Sequence, residues 1–257
     1  MYGLLQIFKT PELTAEITLQ PIKALPVDAA IIFADILLPL EGMGISIEFA
    51  EGEGPVIHNP VRNHSDAEAL RIAHPEEALD YVLRSLQLVR AELDGQVPLI
   101  GFAGAPFTLA SYMIEGGASR NYLLTKKVMY GERETWDLLM GKLTKTLTAY
   151  LLAQAQAGAQ VVQLFDSWVS CLGPADYRDY VLPHTRQLFQ KLRQAGIPSA
   201  ISGLQPEICC RSCARRAAMS WELTGVFRWT SHGSVSVREW EFRGIWTPSR
   251  SWRPGRC

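Results

Sequence analysis

The chain has 257 residues, of which 47% are hydrophobic, and its formal net charge is −1 at pH 7. This length suits one large α/β barrel domain, because such barrels need about 250 residues. The balanced charge gives no general attraction to nucleic acid or to membranes, and no apolar run approaches the roughly 18 residues of a membrane span. Because residues 1–10 show no signal peptide, we expect a cytoplasmic protein.

The first predicted elements are a helix and a buried strand. Thr10, as N-cap, and Pro11 predict a helix that ends at Pro21 or Pro26. Residues 29–33 then predict a strand, and Asp35 follows its carboxyl end. Side chains at that end of a strand line the active site of α/β barrels, so Asp35 is a candidate. An aspartate after a strand is also typical of a turn or a helix cap.

A loop or hairpin is predicted next, over residues 42–60, because the segment is rich in glycine and acidic residues. His58 and His64 lie near it, at a spacing that matches no metal site, and surface or capping roles are favoured. Residues 75–93 then predict a helix that ends near Asp94 and Gly95.

A tight strand-to-helix corner occupies the centre of the sequence. Residues 97–100 predict a buried strand, the glycines and proline of GFAGAP predict a turn, and residues 107–115 predict a helix that Gly116 and Gly117 stop. Glycines there allow a ligand to come close. A corner without a ligand is the open alternative.

The second half alternates in the same way, which predicts parallel βα units and therefore an α/β fold. Residues 133–157 predict a long helix, 159–165 a strand followed by Asp166 and Ser167, 176–195 a helix interrupted at Pro183, and 197–201 another strand. Cys171 is more typical of an inert thiol than of a nucleophile. The sequence shows no GxGxxG, Walker or HExxH motif, so we expect neither a nucleotide cofactor nor a metal.

The composition changes abruptly near the C-terminus. Residues 206–257 contain nine arginines and four glutamates but no lysine or aspartate, a net charge of +5, whereas residues 1–205 carry a net charge of −6. Five of the seven tryptophans and four of the five cysteines also lie there. A small metal knuckle (Cys209, Cys210, Cys213 and His232) and a basic nucleic-acid-binding tail are weakly supported, because no recognised spacing or motif frames them.

Three motifs in order resemble the uroporphyrinogen decarboxylase family over about residues 10–198. They are FADIL at 33–37, GFAGAPFTLASYMIEGG at 101–117 and QLFDSW at 163–168. The resemblance implies a (β/α)8 TIM-barrel fold, incomplete in this chain. It also implies cofactor-free removal of CO2 from the four acetate side chains of uroporphyrinogen III, giving coproporphyrinogen III in porphyrin and haem biosynthesis.

The resemblance also assigns site residues. Asp35, in the family's FxDIL motif, would stabilise the protonated pyrrole and accept its N–H bonds. Tyr112 would form a hydrogen bond near Asp35 or a substrate carboxylate, although a core tyrosine is an alternative. Ser167 would bind a substrate carboxylate, and Phe102 and Phe165 would form walls around the macrocycle. Asp166 is given no part in the reaction.

The sequence departs from the family at both ends. No arginine-rich motif of the type MRQAGRYLPEYR is found, and such arginines would pair with the substrate carboxylates. We therefore expect residues 1–198 to be a partial barrel and residues 199–257 an anomalous tail outside the native fold. A change of reading frame near Ser199 is our hypothesis. Residues 200–203 can be encoded by GCC-ATT-TCG-GGC, and that choice of codons would contain His-Phe-Gly, with which the family usually continues, in another frame.

Two alternative functions remain open at this point. One is a cobalamin- or thiol-linked methyltransferase of the same fold, which needs a zinc site of His and Cys, whereas residues 1–198 contain one cysteine, Cys171. The other is a non-catalytic fragment that binds porphyrinogen. We expect poor activity from this chain, a tetrapyrrole substrate, no nucleic-acid or membrane partner, and a homodimer by family resemblance.

Overall fold

The structure is a computed structural model that describes residues 2–50 and 54–203. The cysteine knuckle and the predicted tail beyond residue 203 lie outside this part of the chain. Among the described residues, no helix is long and apolar enough to cross a membrane.

Helices account for most of the described residues. The α-helices are α1 Leu4–Phe8, α2 Pro11–Ala24, α3 Leu38–Gly42, α4 His64–Ala69, α5 Pro75–Ala78, α6 Asp80–Leu93, α7 Pro106–Glu115, α8 Leu123–Gly131, α9 Arg133–Gln156, α10 Pro174–Asp176 and α11 Leu182–Gln194. A 3-10 helix spans Val169–Cys171 and a π-helix spans Tyr177–Val181. Of these, α1, α3, α4 and α8 were not predicted from the sequence.

The strands form two sheets. They are β1 Ala30–Ile31, β2 Ile47–Ala50, β3 Gly54–Ile57, β4 Leu99–Gly104, β5 Val161–Phe165 and β6 Ser199–Ser202. The main sheet has the order β1-β4-β5-β6 and every pairing in it is parallel, while β2 and β3 form an antiparallel hairpin. The predicted hairpin and parallel βα units are confirmed. Within residues 2–50 and 54–203 the parallel strands do not close on themselves, so this part is an incomplete barrel, as expected.

The two faces of the main sheet are covered differently. On one face, Val162 and Leu164 of β5 are buried beneath helices whose largest buried side chains include Trp136 and Tyr150 of α9. On the other face, Ile31 is 44% exposed at the end of β1. This second face corresponds to the interior of a complete barrel, and the active site of such barrels lies at the carboxyl ends of the strands.

Strand β4 differs from the prediction. The strand begins at Leu99 and continues through Gly101 and Gly104, where a turn was predicted. The reason is close packing: a Cβ on Gly101 would collide with the amide oxygen of Gln154, and one on Gly104 would lie 2.6 Å from Leu109. Both glycines therefore allow helices to approach the strand and do not form a turn.

Helix α2 shows two smaller differences. It continues through Pro21 and ends at Ala24, two residues before Pro26. Thr10 occupies the N-cap position, but its hydroxyl donates to the carbonyl of Gln6 at 2.8 Å and does not cap α2.

Two predicted helices are divided in the structure. The helix over 75–93 breaks at Leu79 into α5 and α6, and it ends at Asp94, which is left-handed with φ 43°. The helix over 176–195 passes through the π-helix before Pro183 enters the first turn of α11. Trp136 stabilises this wider turn, because its indole N–H donates to the carbonyl of Tyr180 at 2.9 Å.

Candidate active site

The candidate site lies at the carboxyl edge of the main sheet. Asp35 follows β1, the corner at Ala105 follows β4, and Asp166 and Ser167 follow β5. Because parallel strands end at the same edge, these residues face a common region. The corner is tied to β5 directly, since the N–H of Ala105 donates to the carbonyl of Phe165 at 2.8 Å.

Asp35 is partly buried at this edge. Its Oδ1 accepts the backbone N–H of Leu37 at 2.8 Å, a short-range bond that fixes the carboxylate against the chain that leads into α3. Burial raises the pKa of Asp35 above its usual value, and the hydrogen bond from Leu37 opposes that rise. Asp35 thus serves as a turn residue, and its carboxyl group is partly shielded from water.

Tyr112 of α7 is brought near Asp35. The pKa of its phenol is raised first by burial and second by the charge of Asp35, so the two groups lie within electrostatic reach. A raised pKa keeps the hydroxyl protonated at neutral pH, and a protonated hydroxyl can donate a hydrogen bond. The two residues that were predicted to be catalytic are therefore close enough for the charge of one to affect the other.

Trp168 and Tyr122 were missed by the sequence prediction. The indole of Trp168 stacks on the ring of Tyr112, with centroids 3.8 Å apart and planes 27° apart. Tyr122 lies on Trp168 with a centroid distance of 5.3 Å and has an unusual positive φ of 53°. The final letter of QLFDSW was the available signal for Trp168. Tyr122 had no such signal, because its contact depends on the loop between α7 and α8.

Phe102 and Phe165 are in contact on the partly open face of the sheet. Their rings meet edge to face with centroids 5.3 Å apart, a favourable aromatic geometry. Phe102 is buried, at 9% exposure, whereas Phe165 is half-buried. Phe165 is therefore better placed than Phe102 to touch a ligand.

Asp166 and Ser167 are neighbours with opposite environments. Asp166 is completely buried, its Oδ1 accepts the Thr108 hydroxyl at 2.9 Å, and burial raises its pKa to about 7. Ser167 is exposed. Ser167, which was predicted to contact the substrate, is thus accessible. Asp166, to which no role was assigned, cannot reach a ligand from its buried position.

Other candidate ligands do not assemble into a metal site. His58 pairs with Glu48 at 2.8 Å and His64 approaches Glu68 at 3.6 Å, both on the surface. Burial raises the pKa of the Cys171 thiol, which favours the less reactive protonated form. In residues 2–50 and 54–203, no group of three or more His, Cys, Asp or Glu side chains is arranged to hold a metal ion.

Comparison with known proteins decides the family. The family model described as uroporphyrinogen decarboxylase (URO-D) matches residues 1–202. The chain belongs to the uroporphyrinogen decarboxylase family. A relative from Carboxydothermus hydrogenoformans is 56% identical over 197 residues, which cover 77% of this chain and 56% of the relative. Relatives from Sorangium cellulosum and from a strain of Thermus thermophilus are each 58% identical over 197 residues, which cover 56% and 57% of their lengths.

The chain therefore spans little more than half the length of these uroporphyrinogen decarboxylases. A solved structure with a similar fold is a methyltransferase from Methanosarcina mazei, with a TM-score of 0.66 and 17% sequence identity, over 79% of this chain and 60% of the other. At that identity the likeness concerns the fold alone.

Proposed function

We propose that this chain contains the part of a uroporphyrinogen decarboxylase active site that includes the catalytic aspartate, Asp35. We propose that it removes CO2 from the acetate groups of uroporphyrinogen III. The observation that carries the proposal is the partly buried carboxylate of Asp35 at the carboxyl edge of the sheet, within electrostatic reach of the Tyr112 phenol. This pair lies in the region where α/β barrels conduct their chemistry.

The reaction needs a place for the electron pair that remains when CO2 leaves. Protonation of a pyrrole carbon next to the nitrogen gives a cation, and the pair from the breaking C–C bond flows into that ring. A proton then takes the place of CO2 on the side chain, and loss of the first proton restores the pyrrole. Asp35 stabilises the cation as it forms and accepts pyrrole N–H bonds. Its reduced contact with water strengthens both effects.

The remaining residues would hold the macrocycle. Tyr112 keeps its proton and donates to a substrate carboxylate or to Asp35. Phe165, with Phe102 behind it, offers an apolar wall, and the exposed hydroxyl of Ser167 donates to a second carboxylate. The pyrrole itself accepts the electrons in this scheme, so the proposed reaction uses neither a cofactor nor a metal. A homodimer belongs to the proposal by family resemblance.

The methyltransferase alternative is supported by the fold likeness alone. Its zinc chemistry needs clustered thiolate and imidazole ligands. In the described part of the chain Cys171 is the free cysteine, and no cluster with metal-binding geometry surrounds it. The donor set therefore favours the decarboxylase.

The test is an anaerobic incubation of the purified full chain with uroporphyrinogen III, followed by HPLC of the oxidised products. We expect coproporphyrin to accumulate, more slowly than with the full-length Thermus relative, and to disappear in Asp35→Asn. Substrate binding without turnover would instead indicate a porphyrinogen-binding fragment. Stoichiometric zinc together with methyl transfer would establish the alternative enzyme.

A further inference from the structure

Asp166 is the buried ionisable group that the proposed reaction leaves without a role. It is completely buried at the end of β5, and its backbone is fixed by an N–H bond to the carbonyl of Ser202 at 2.8 Å. Its Oδ2 has no hydrogen-bond partner among the residues that the structure describes. Burying a carboxyl group with one oxygen unpaired costs free energy of folding. We therefore ask what the bond between Asp166 and Thr108 contributes to the protein.

The first contribution concerns the start of α7. The N-cap of this helix is Ala105, which has no side chain able to cap. Thr108 is the third residue of the helix, a position whose N–H is normally satisfied by an N-cap side chain. Asp166 reaches this first turn from the end of β5, where its Oδ1 accepts the Thr108 hydroxyl at 2.9 Å.

The Thr108 hydroxyl also makes a second contact. It donates to Asp166 Oδ1 at 2.9 Å and lies 3.3 Å from the backbone nitrogen of Trp168. The Trp168 nitrogen can only donate, so the hydroxyl oxygen accepts there and its single proton must point to Asp166. The direction of both bonds is therefore fixed, and Asp166 must present Oδ1 as an acceptor.

This network ends at the candidate site. The Trp168 backbone is held by Thr108, and the Trp168 indole stacks on Tyr112 at 3.8 Å. Tyr112 lies four residues after Thr108, one turn further along the same face of α7. Thr108 thus holds the backbone of Trp168, and α7, the helix that contains Thr108, also carries the Tyr112 ring on which the Trp168 indole stacks.

We infer that Asp166 and Thr108 are positioning residues, which clamp the Trp168 loop onto α7 so that the indole holds the Tyr112 ring in place at the candidate site. The inference rests on the proposed function for its catalytic consequence, although the clamp itself is a structural statement. Neither residue touches the substrate in this arrangement, and both act through Trp168.

The decisive variant is Thr108→Val, which keeps the shape and removes the hydroxyl, with Thr108→Ser as the conservative rescue. A matched control is Thr185→Val, because Thr185 is equally buried but its hydroxyl bonds to the Val181 carbonyl of the neighbouring turn. Far-UV circular dichroism and thermal unfolding establish that each variant folds.

The first readout is the near-UV circular dichroism band of the Tyr112–Trp168 stack, assigned as the difference between wild type and Trp168→Leu. We expect Thr108→Val to lose most of this band, and Thr108→Ser and Thr185→Val to keep it. A band that is unchanged in folded Thr108→Val would overturn the clamp. This readout needs no turnover, so it decides the inference even if the decarboxylase assay fails.

The second readout is kinetic. Thr108→Val should lower kcat about tenfold with KM within about twofold of wild type, and Thr108→Ser should restore kcat. In a Tyr112→Phe background, Thr108→Val should change kcat by less than about twofold, because the Tyr112 hydroxyl that Thr108 helps to position is already absent. Equal effects of Thr108→Val in both backgrounds would show that Thr108 does not act through Tyr112 and would overturn the catalytic part.

Discussion

Two aspartates that follow parallel strands of the same sheet differ sharply in their surroundings. Asp35, after β1, is partly buried and bonds to a backbone N–H two residues away. Asp166, after β5, is completely buried and bonds to a hydroxyl 58 residues away. Equivalent positions at strand ends therefore do not imply equivalent roles.

The difference shows that the degree of burial determines which role each aspartate can have. A carboxylate that still faces a cleft can respond to charge that develops on a ligand, because its field reaches the ligand through little protein. A carboxyl that is sealed from solvent can only organise its immediate neighbours. Substitutions at the two aspartates should accordingly have different main effects, on turnover directly for Asp35, and on the pH dependence of stability and the position of the Trp168 loop for Asp166.

The largest effect is expected for Asp35→Asn on turnover. We expect kcat of the chain to fall about 100- to 1,000-fold, because the amide carries no charge to stabilise the pyrrole cation. The asparagine oxygen can still accept the Leu37 N–H, so stability should stay within about 1 kcal/mol. HPLC of porphyrin products and urea unfolding check the two parts. Retention of kcat within tenfold would remove Asp35 from the mechanism.

Asp166→Asn should change how stability depends on pH. Burial raises the pKa of folded Asp166 from 3.8 to about 7, so the folded state keeps its proton while the unfolded state loses it. The resulting stabilisation is full below about pH 4 and is lost as pH rises through 7. Between pH 5 and pH 8, wild type should lose about 2–3 kcal/mol relative to Asp166→Asn.

Urea unfolding at the two pH values measures this loss, and Asp35→Asn is the matched control. The Asp35 pKa is raised in the same direction, but its carboxylate is less buried, so that variant should show a weaker dependence of the same sign. Equal pH slopes for wild type and Asp166→Asn would mean that Asp166 ionises normally in the folded protein.

Tyr112→Phe tests whether the phenol cooperates with Asp35. We expect kcat to fall about tenfold, since one hydrogen bond from a neutral donor is lost. The phenyl ring should still stack on Trp168 and keep the aromatic band in near-UV circular dichroism. A normal kcat would assign Tyr112 to packing alone.

Ser167→Ala should have the smallest effect. The side chain is exposed, so stability should change by less than about 0.5 kcal/mol. If its hydroxyl binds a substrate carboxylate, KM should rise about three- to fivefold while kcat holds. Ser170→Ala, also exposed and three residues away, is the matched control and should leave KM unchanged. Parallel results for the two serines would exclude Ser167 from binding.

Patterns within a few residues were enough to predict much of this fold. Helix α7 was predicted to stop at Gly116, and that glycine is left-handed with φ 89°. The alternation of strands and helices predicted the parallel sheet, and the position of Asp35 followed from the strand before it.

Features that depend on distant contacts could not be predicted in this way. Gly101 and Gly104 suggested a turn, because the packing of Gln154 and Leu109 against them is visible only in three dimensions. The burial of Asp166 and the stacking of Trp168 on Tyr112 likewise join segments more than 50 residues apart. The motifs identified the neighbourhood of the site, and tertiary packing decided which of its residues remain accessible.

The bond between Thr108 of α7 and Asp166 has a consequence for the order of folding during synthesis. At 5–20 residues per second, Asp166 is made about 3–12 s after Thr108, which lies 58 residues earlier. Until then α7, ten residues long, is shorter than helices that are stable alone in water. We expect the amides of α7 to exchange freely in nascent chains stalled before residue 166 and to gain protection in longer ones. The helix that carries Tyr112 would then form on the ribosome only once β5 has emerged.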